Sequence, residues 1–315
     1  MDARKITTTA KTEEPLQVST DLKQTLLAGV SILRPKQWTK NLILFAGLVF
    51  SHNLFDLSLF WVSSLAFISF CLLSGAVYVI NDLVDIQEDL NHPKKKNRPL
   101  PSGRLTIKQA VFIFAASMGL SLITAWALGI YFLLIAMLYF ALVVSYSFWL
   151  KHIVIFDIFA ISLGFLLRVI AGAVVIDVRI SPWLLICTLL LSLFLALTKR
   201  RYEFVSLEND GVDHRRVLEQ YSVAFLDQLI SIVTATTIMA YSLYSFTASD
   251  TEQLMITIPF VIFGLFRYLF LVYKKDMGGS PEEVLFKDKP FIFNLLLWVL
   301  TSVVLLYWHD WAPFS

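Results

Sequence analysis

Residues 58–89 read SLFWVSSLAFISFCLLSGAVYVINDLVDIQED. Residues 58–81 carry no charge at all, and about 20 consecutive apolar residues suffice to cross a bilayer as a helix. Acid then arrives at once, with Asp82, Asp85, Glu88 and Asp89 at the end of the run. A simple cytoplasmic helix end would be capped by cations, not carboxylates. The stretch therefore predicts a membrane span with a functional acidic cluster at its mouth.

The rest of the chain agrees with that reading. Its 315 residues are 57% hydrophobic and 16% charged, against about 25% charged in a soluble domain, and the mean hydropathy is +0.70. A water-facing globule, a disordered chain and a disulfide scaffold are excluded. Cys71 and Cys187 both sit in apolar runs, so neither a disulfide framework nor a cysteine metal site is expected. Apolar runs near 38–55, 58–81, 108–128, 130–150, 153–176, 182–198, 222–248, 254–273 and 291–309 predict an all-α integral membrane protein with nine transmembrane helices. Residues 1–22 read as a polar tail, 22–33 as a short interfacial helix, and 23–315 as one polytopic domain.

Charge sets the orientation. The segments before the first span, at 82–108, at Lys151, at 199–221 and at 274–290 hold 23 of the 26 Lys and Arg residues. All fall on one side, which the positive-inside rule makes the cytoplasm. The expected protein is a multi-pass plasma-membrane protein with a cytoplasmic N-terminus and active site. Its surroundings are membrane lipids, and no nucleic acid is expected as a partner.

The chemistry is expected in those cytoplasmic loops. On a continuous helix Asp82, Asp85 and Asp89 share one face and Asn81 adjoins it. Three clustered carboxylates repel one another unless a cation sits among them, and carboxylate oxygens suit Mg²⁺, which bridges to substrate phosphates. A basic loop follows, with Lys94, Lys95, Lys96, Arg98 and Arg104 set among Pro99, Pro101 and Gly103. Metal plus basic loop makes a diphosphate clamp. For Lys94–Lys96 ordinary positive-inside charge competes with that role, whereas Arg98 and Arg104 favour it.

The series Asn81-Asp82-x-x-Asp85-x-x-x-Asp89, followed by Asn97-Arg98-Pro99 and Gly103, resembles the first motif of the UbiA-type prenyltransferase superfamily. That resemblance implies a nine-helix intramembrane bundle binding a diphosphate substrate through Mg²⁺. Members commonly carry a second Asp-rich motif after the sixth span. Here the chain reads Thr198-Lys199-Arg200-Arg201-Tyr202-Glu203, leaving one acid in a cationic setting. Tyr146 and Lys151 resemble the family's Tyr…Lys element, and Asp157, Gly164 and Arg168 follow along one helix face. The combination with Lys199–Glu203 and residues 281–288 is similar to the decaprenyl-phosphate phosphoribosyltransferase branch.

The resemblance implies Mg²⁺-dependent transfer of 5-phosphoribose from 5-phosphoribosyl 1-diphosphate to a polyprenyl phosphate, giving a cell-wall lipid precursor. Asp82, Asp85, Asp89 and Asp157 are the expected catalytic residues, the first three as metal ligands. Lys36, Asn81, Lys95, Arg98, Arg104, Tyr146, Lys151, Arg168, Lys199, Arg200, Arg201 and Glu203 are the expected substrate contacts. Lys and Arg here suit two phosphorylated substrates better than an aromatic acceptor. Two readings compete for Asp157, catalysis or ribose binding against structural pairing. Arg168, an ionisable residue inside a span, is functional by default or else an ion-pair partner of a buried acid. Arg267 is expected to snorkel. The alternative activity is prenyl transfer to an aromatic or other small acceptor. A transporter would gather its charges near the bilayer midplane, and here they gather at helix ends.

Overall fold

A computed structural model describes residues 22–91, 95–210, 220–247, 252–275, 277–279, 281, 284 and 287–311. The expected polar tail lies outside them except for Leu22. All regular structure among the described residues is helical: α1 (Leu22–Ile32), α2 (Ala46–Phe50), α3 (Leu57–Val84), α4 (Ile86–Asn91), α5 (Ile107–Ala127), α6 (Ile130–Phe148), α7 (Phe156–Val174), α8 (Pro182–Asp210), α9 (Val223–Thr247), α10 (Ile258–Lys274) and α11 (Lys289–Trp311), with short 3₁₀ segments between them.

Eight of these elements are long and apolar enough to cross a membrane, α10 together with the turn before it. This multi-pass architecture leaves the first of the nine expected spans as an exception. Residues 38–55 do not form one α-helix. The chain instead runs as a 3₁₀ helix over Pro35–Phe45 and then the short α2. At about 2.0 Å per 3₁₀ residue and 1.5 Å per α residue, the two pieces cover roughly 30 Å, the thickness of a bilayer core. The two ends of the segment make contacts far apart in the bundle. Arg34 at its start bonds to Asp82 at the end of α3. Leu54 N–H donates to the hydroxyl of Tyr307, near the far end of α11, at 2.9 Å.

Such irregular backbone is tolerated at membrane depth only where protein encloses it. Asn41, Leu44, Gly47 and Leu48 are buried, and the segment packs on α3 and α7. Close approach is possible because α7 is bare there. A Cβ on Gly172 would stand 1.9 Å from the Leu44 carbonyl oxygen.

Two main apolar cores flank α7. One joins Leu44, Phe70, Leu73, Phe132, Tyr139 and Ala171. The other joins Ile158, Phe194, Leu197, Leu226, Ile230 and Tyr268. Because the spans alternate in direction, the ends of α3, α6, α8 and α10 and the starts of α5, α7, α9 and α11 meet at one end of the bundle. Every expected site residue except Arg168 lies near that end.

Candidate active site

The acidic motif does not form a continuous helical face. α3 stops at Val84, Asp85 sits at the break with φ −90° and ψ 11°, and α4 starts at Ile86. Asp82 and Asp89 are buried, 1% and 0% exposed, and Asp85 is half-buried. Among the described residues no three acid, His or Cys side chains stand close enough to cage an ion. Repulsion between Asp82 and Asp89 is relieved by a shared guanidinium. Arg98 Nη1 lies 3.2 Å from Asp82 Oδ1 and 2.5 Å from Asp89 Oδ2. Asp82 Oδ1 also accepts from Arg34 Nη2 at 2.5 Å, and Lys95 Nζ stands 3.7 Å from Asp89 Oδ1. The donor chemistry suits a hard divalent cation. Asp89 Oδ1 is buried without a hydrogen bond, and Asp85 makes no side-chain hydrogen bond or ion pair among the described residues.

The basic loop is a packed structure. Leu100 and Leu105 are buried against Ala28, Ile32, Val79 and Ala110. Ser102 N–H donates to Arg98 O at 3.0 Å, and Leu105 N–H to Pro99 O at 3.0 Å. Gly103 takes φ 73°, a left-handed geometry that glycine adopts without steric cost. Arg98 is therefore aimed at the acids by a fixed turn. Arg104 turns the other way, donating to Asn97 O and to Ser102 Oγ, and is exposed. Asn81 is half-buried beside Asp82, and Lys36 is exposed.

A second network stands on α6, α7 and α8. The segment expected as a loop at 199–221 is helical as far as Asp210. Lys199, Arg200 and Arg201 thus project from a helix in different directions, and Glu203 shares the side of Arg200. Arg200 is 1% exposed and points inward. Its Nε meets Asp157 Oδ2 at 2.6 Å, Nη1 meets Glu203 Oε2 at 2.5 Å, and Nη2 donates to the Tyr146 hydroxyl at 3.0 Å. Arg201 points to α9 and α10, bonding to Asp227 Oδ1 at 2.5 Å and lying 3.8 Å over the Tyr273 ring. Lys199 is half-buried, and Lys151 is half-buried on the turn after α6.

Arg168 lies eleven residues beyond Asp157, roughly 16 Å deeper along α7, and does not pair with it. Its guanidinium donates to Asn41 Oδ1 at 2.7 Å, Gly164 O at 3.0 Å and the Tyr139 hydroxyl at 2.6 Å. It also lies over the Tyr139 and Phe165 rings. The partners are all neutral, and Asn41 belongs to the irregular first crossing. Arg267 is likewise tied down, with Nε and Nη2 on the two oxygens of Asp288 at 3.1 and 2.8 Å. That guanidinium holds the Asp288 carboxyl below the usual carboxylate range.

Arg34 and Tyr221 were not among the expected site residues. Arg34 precedes a proline yet takes φ 52° and ψ 65°, where a residue before proline would normally be extended. Its only signal in the sequence was one more cation before the first span. Tyr221 donates to Asp157 Oδ1 at 2.9 Å, and no local pattern links residues 64 apart.

Deeper in the bundle lies an apolar cavity of about 530 Å³ lined by Phe45, Phe165, Phe194, Tyr241, Tyr268 and Trp298 among others. Phe165 forms part of its wall and carries Arg168 5.3 Å from its ring centre. The acids and cations thus stand at one end of the bundle, and the apolar cavity extends away from them into its interior.

Residues 42–295 match the model of the UbiA prenyltransferase family. A Corynebacterium glutamicum protein named decaprenyl-phosphate phosphoribosyltransferase is 32% identical over 88% of this chain and 86% of its own length. Its namesake from Mycolicibacterium smegmatis is 30% identical over 93% of this chain and 97% of its own. In fold, the chain is similar to a UbiA homolog from Archaeoglobus fulgidus solved with GPP and Mg²⁺, with TM-score 0.68 and 19% identity over 89% of this chain and 99% of that one. Sequence match and bundle architecture lead to one conclusion: the chain belongs to the UbiA prenyltransferase family.

Proposed function

We propose that this membrane transferase moves 5-phosphoribose from 5-phosphoribosyl 1-diphosphate to a polyprenyl phosphate, with Mg²⁺ and with release of diphosphate. The observation that carries the reading is the match, over nearly their whole length, to relatives named decaprenyl-phosphate phosphoribosyltransferase. The geometry supports it. Two charged networks at one bundle end, one holding Arg34, Lys95 and Arg98 and the other built around Arg200, leave room for two phosphorylated substrates, and the apolar cavity deeper in the bundle suits an isoprenoid chain.

Asp82, Asp85 and Asp89 would hold the ion. Bound there, Mg²⁺ supplies charge neutralisation for the departing diphosphate. Arg34 stands on Asp82 and Arg98 on Asp82 and Asp89, and both offer planar forks to phosphate oxygens. The C1–O bond to diphosphate breaks with its electron pair leaving on diphosphate. An oxygen of the acceptor phosphate then forms the new C1–O bond, with inversion. That acceptor is already ionised, so no strong general base is needed. Tyr146 and Asp157 act as positioning groups, and Arg200 holds them in register. The positive-inside count supports a cytoplasmic location for this bundle end.

A second reading, prenyl transfer to a small acceptor, is favoured by the GPP-bound fold relative. Competition separates the two. If phosphoribosyl diphosphate protects the purified protein from thermal unfolding and geranyl diphosphate does not, the first reading stands. The reverse pattern overturns it.

A further inference from the structure

The Arg200 network is anchored from behind by a residue that no motif marks. Tyr221 lies on the linker just before α9, outside every span, yet is only 4% exposed. Its ring stacks on Phe225 at 6.2 Å and 22° and belongs to the core built from α7, α8, α9 and α10. The hydroxyl accepts from the Ile155 backbone N–H at 2.7 Å and donates to Asp157 Oδ1 at 2.9 Å.

Both partners are unusual. Ile155 is β-branched and takes φ 71° and ψ −45° at the start of α7, a region such side chains avoid. Strain of this kind persists only where the surroundings over-determine it, and here the tyrosine hydroxyl holds the strained amide. Asp157 is fully buried. Its Oδ2 faces Arg200 at 2.6 Å, so its two oxygens are tied from two different elements and its plane is fixed. Arg200 passes that orientation on to Glu203 and Tyr146, which are partly exposed. The order from core to open side is therefore Tyr221, Asp157, Arg200, then Glu203 and Tyr146. Burial also pushes the Tyr221 phenol up, which keeps it a proton donor at physiological pH.

We propose that Tyr221 is a positioning residue of the transfer reaction, setting Tyr146 and Glu203 through Asp157 and Arg200 for one of the two substrates. This rests on the reading that the Arg200 network belongs to the active site.

The test is Tyr221→Phe in the full-length protein, which removes one oxygen and keeps the ring stacking. A positioning role predicts a split. The Michaelis constant of one substrate rises at least about tenfold, while that of the other and the turnover number per folded enzyme stay within about threefold. A merely structural role moves neither constant and lowers activity only in proportion to the folded fraction, and that result overturns the inference. Should the variant not survive purification, the two Michaelis constants, which do not depend on the amount of folded enzyme, are measured in membranes, and the same split or its absence decides. If wild-type protein turns over a prenyl diphosphate and not phosphoribosyl diphosphate, the function proposed above fails. The split is then measured on the prenyl pair, and its absence there overturns the inference separately.

Discussion

Arg200 and Arg201 are neighbours in the chain and face opposite ways: Arg200 reaches Asp157 across the interior at 2.6 Å, and Arg201 reaches Asp227 on the other side of α8 at 2.5 Å. A helix turns about 100° per residue, so a run of cations on it cannot act as one patch. Removing one partner of a buried pair costs about 3–5 kcal/mol, whereas a half-exposed pair is worth about 1 kcal/mol or less. Arg200→Gln should therefore destabilise the bundle and abolish turnover. Arg201→Gln should leave both Michaelis constants within about threefold of wild type. Thermal melts and initial rates of the two single variants check this, and a large Michaelis-constant change in Arg201→Gln would place it back in the site.

Substitutions at Asp85 and Asp89 are expected to separate the proposed metal binding from folding. Asp89 is fully buried and bonded to Arg98 at 2.5 Å, while Asp85 carries no such partner. Asp85→Asn should cut activity at limiting Mg²⁺ at least about a hundredfold with an unchanged melting temperature. Asp89→Asn should lose activity and also about 1.5–3 kcal/mol of stability with its charged hydrogen bond. Rates across a Mg²⁺ titration, paired with melting curves, decide the matter. Near-normal activity of Asp85→Asn at low Mg²⁺ removes it from the ligand set.

Arg168 fastens the irregular first crossing to α7 through Asn41. Arg168→Leu would leave the buried Asn41 amide oxygen and Tyr139 hydroxyl without their donor, at about 1–3 kcal/mol each. Activity and melting temperature should fall together while insertion survives, since leucine enters a membrane more readily than arginine. Arg168→Lys should not restore either, because an ammonium cannot fork to three acceptors in one plane. Full activity in the leucine variant would show the clamp to be dispensable.

Asp288 predicts a pH dependence. Its carboxyl is held below the ordinary range by Arg267. A depressed folded-state value adds stability above the unfolded value, about 3.9 for Asp, and that stability fades as pH falls through the folded value. Wild type should thus melt higher than Asp288→Asn at pH 7, and the gap should close towards pH 3. A gap independent of pH would deny the ion pair its role.

Legibility in the sequence followed distance along the chain. Asp82, Asp89 and Arg98 are within 16 residues, so charge inversion across one span end exposed them together. Arg34 reaches Asp82 over 48 residues and Tyr221 reaches Asp157 over 64, and nothing local encodes such pairings. Hydropathy identified eight spans because each buries or exposes apolar side chains along its whole length. For residues 38–55 it gave an apolar run but not its path, because enclosure by α3 and α7 permits a 3₁₀ segment that composition alone cannot distinguish from an α-helix. The shared helical face expected of the three acids failed at Asp85 for a related reason: the helix breaks there, and Arg98, not a third carboxylate, joins Asp82 to Asp89.

Phosphoribosyl transfer to a lipid phosphate is read out by mass spectrometry of the lipid fraction. Purified protein is incubated with phosphoribosyl diphosphate, Mg²⁺ and a panel of polyprenyl phosphates. A new lipid heavier than its polyprenyl phosphate by one phosphoribosyl group is expected, formed with one equivalent of diphosphate and absent when Mg²⁺ is chelated. Unchanged polyprenyl phosphates, with geranyl diphosphate consumed by the same preparation in the presence of an aromatic acceptor, would contradict it.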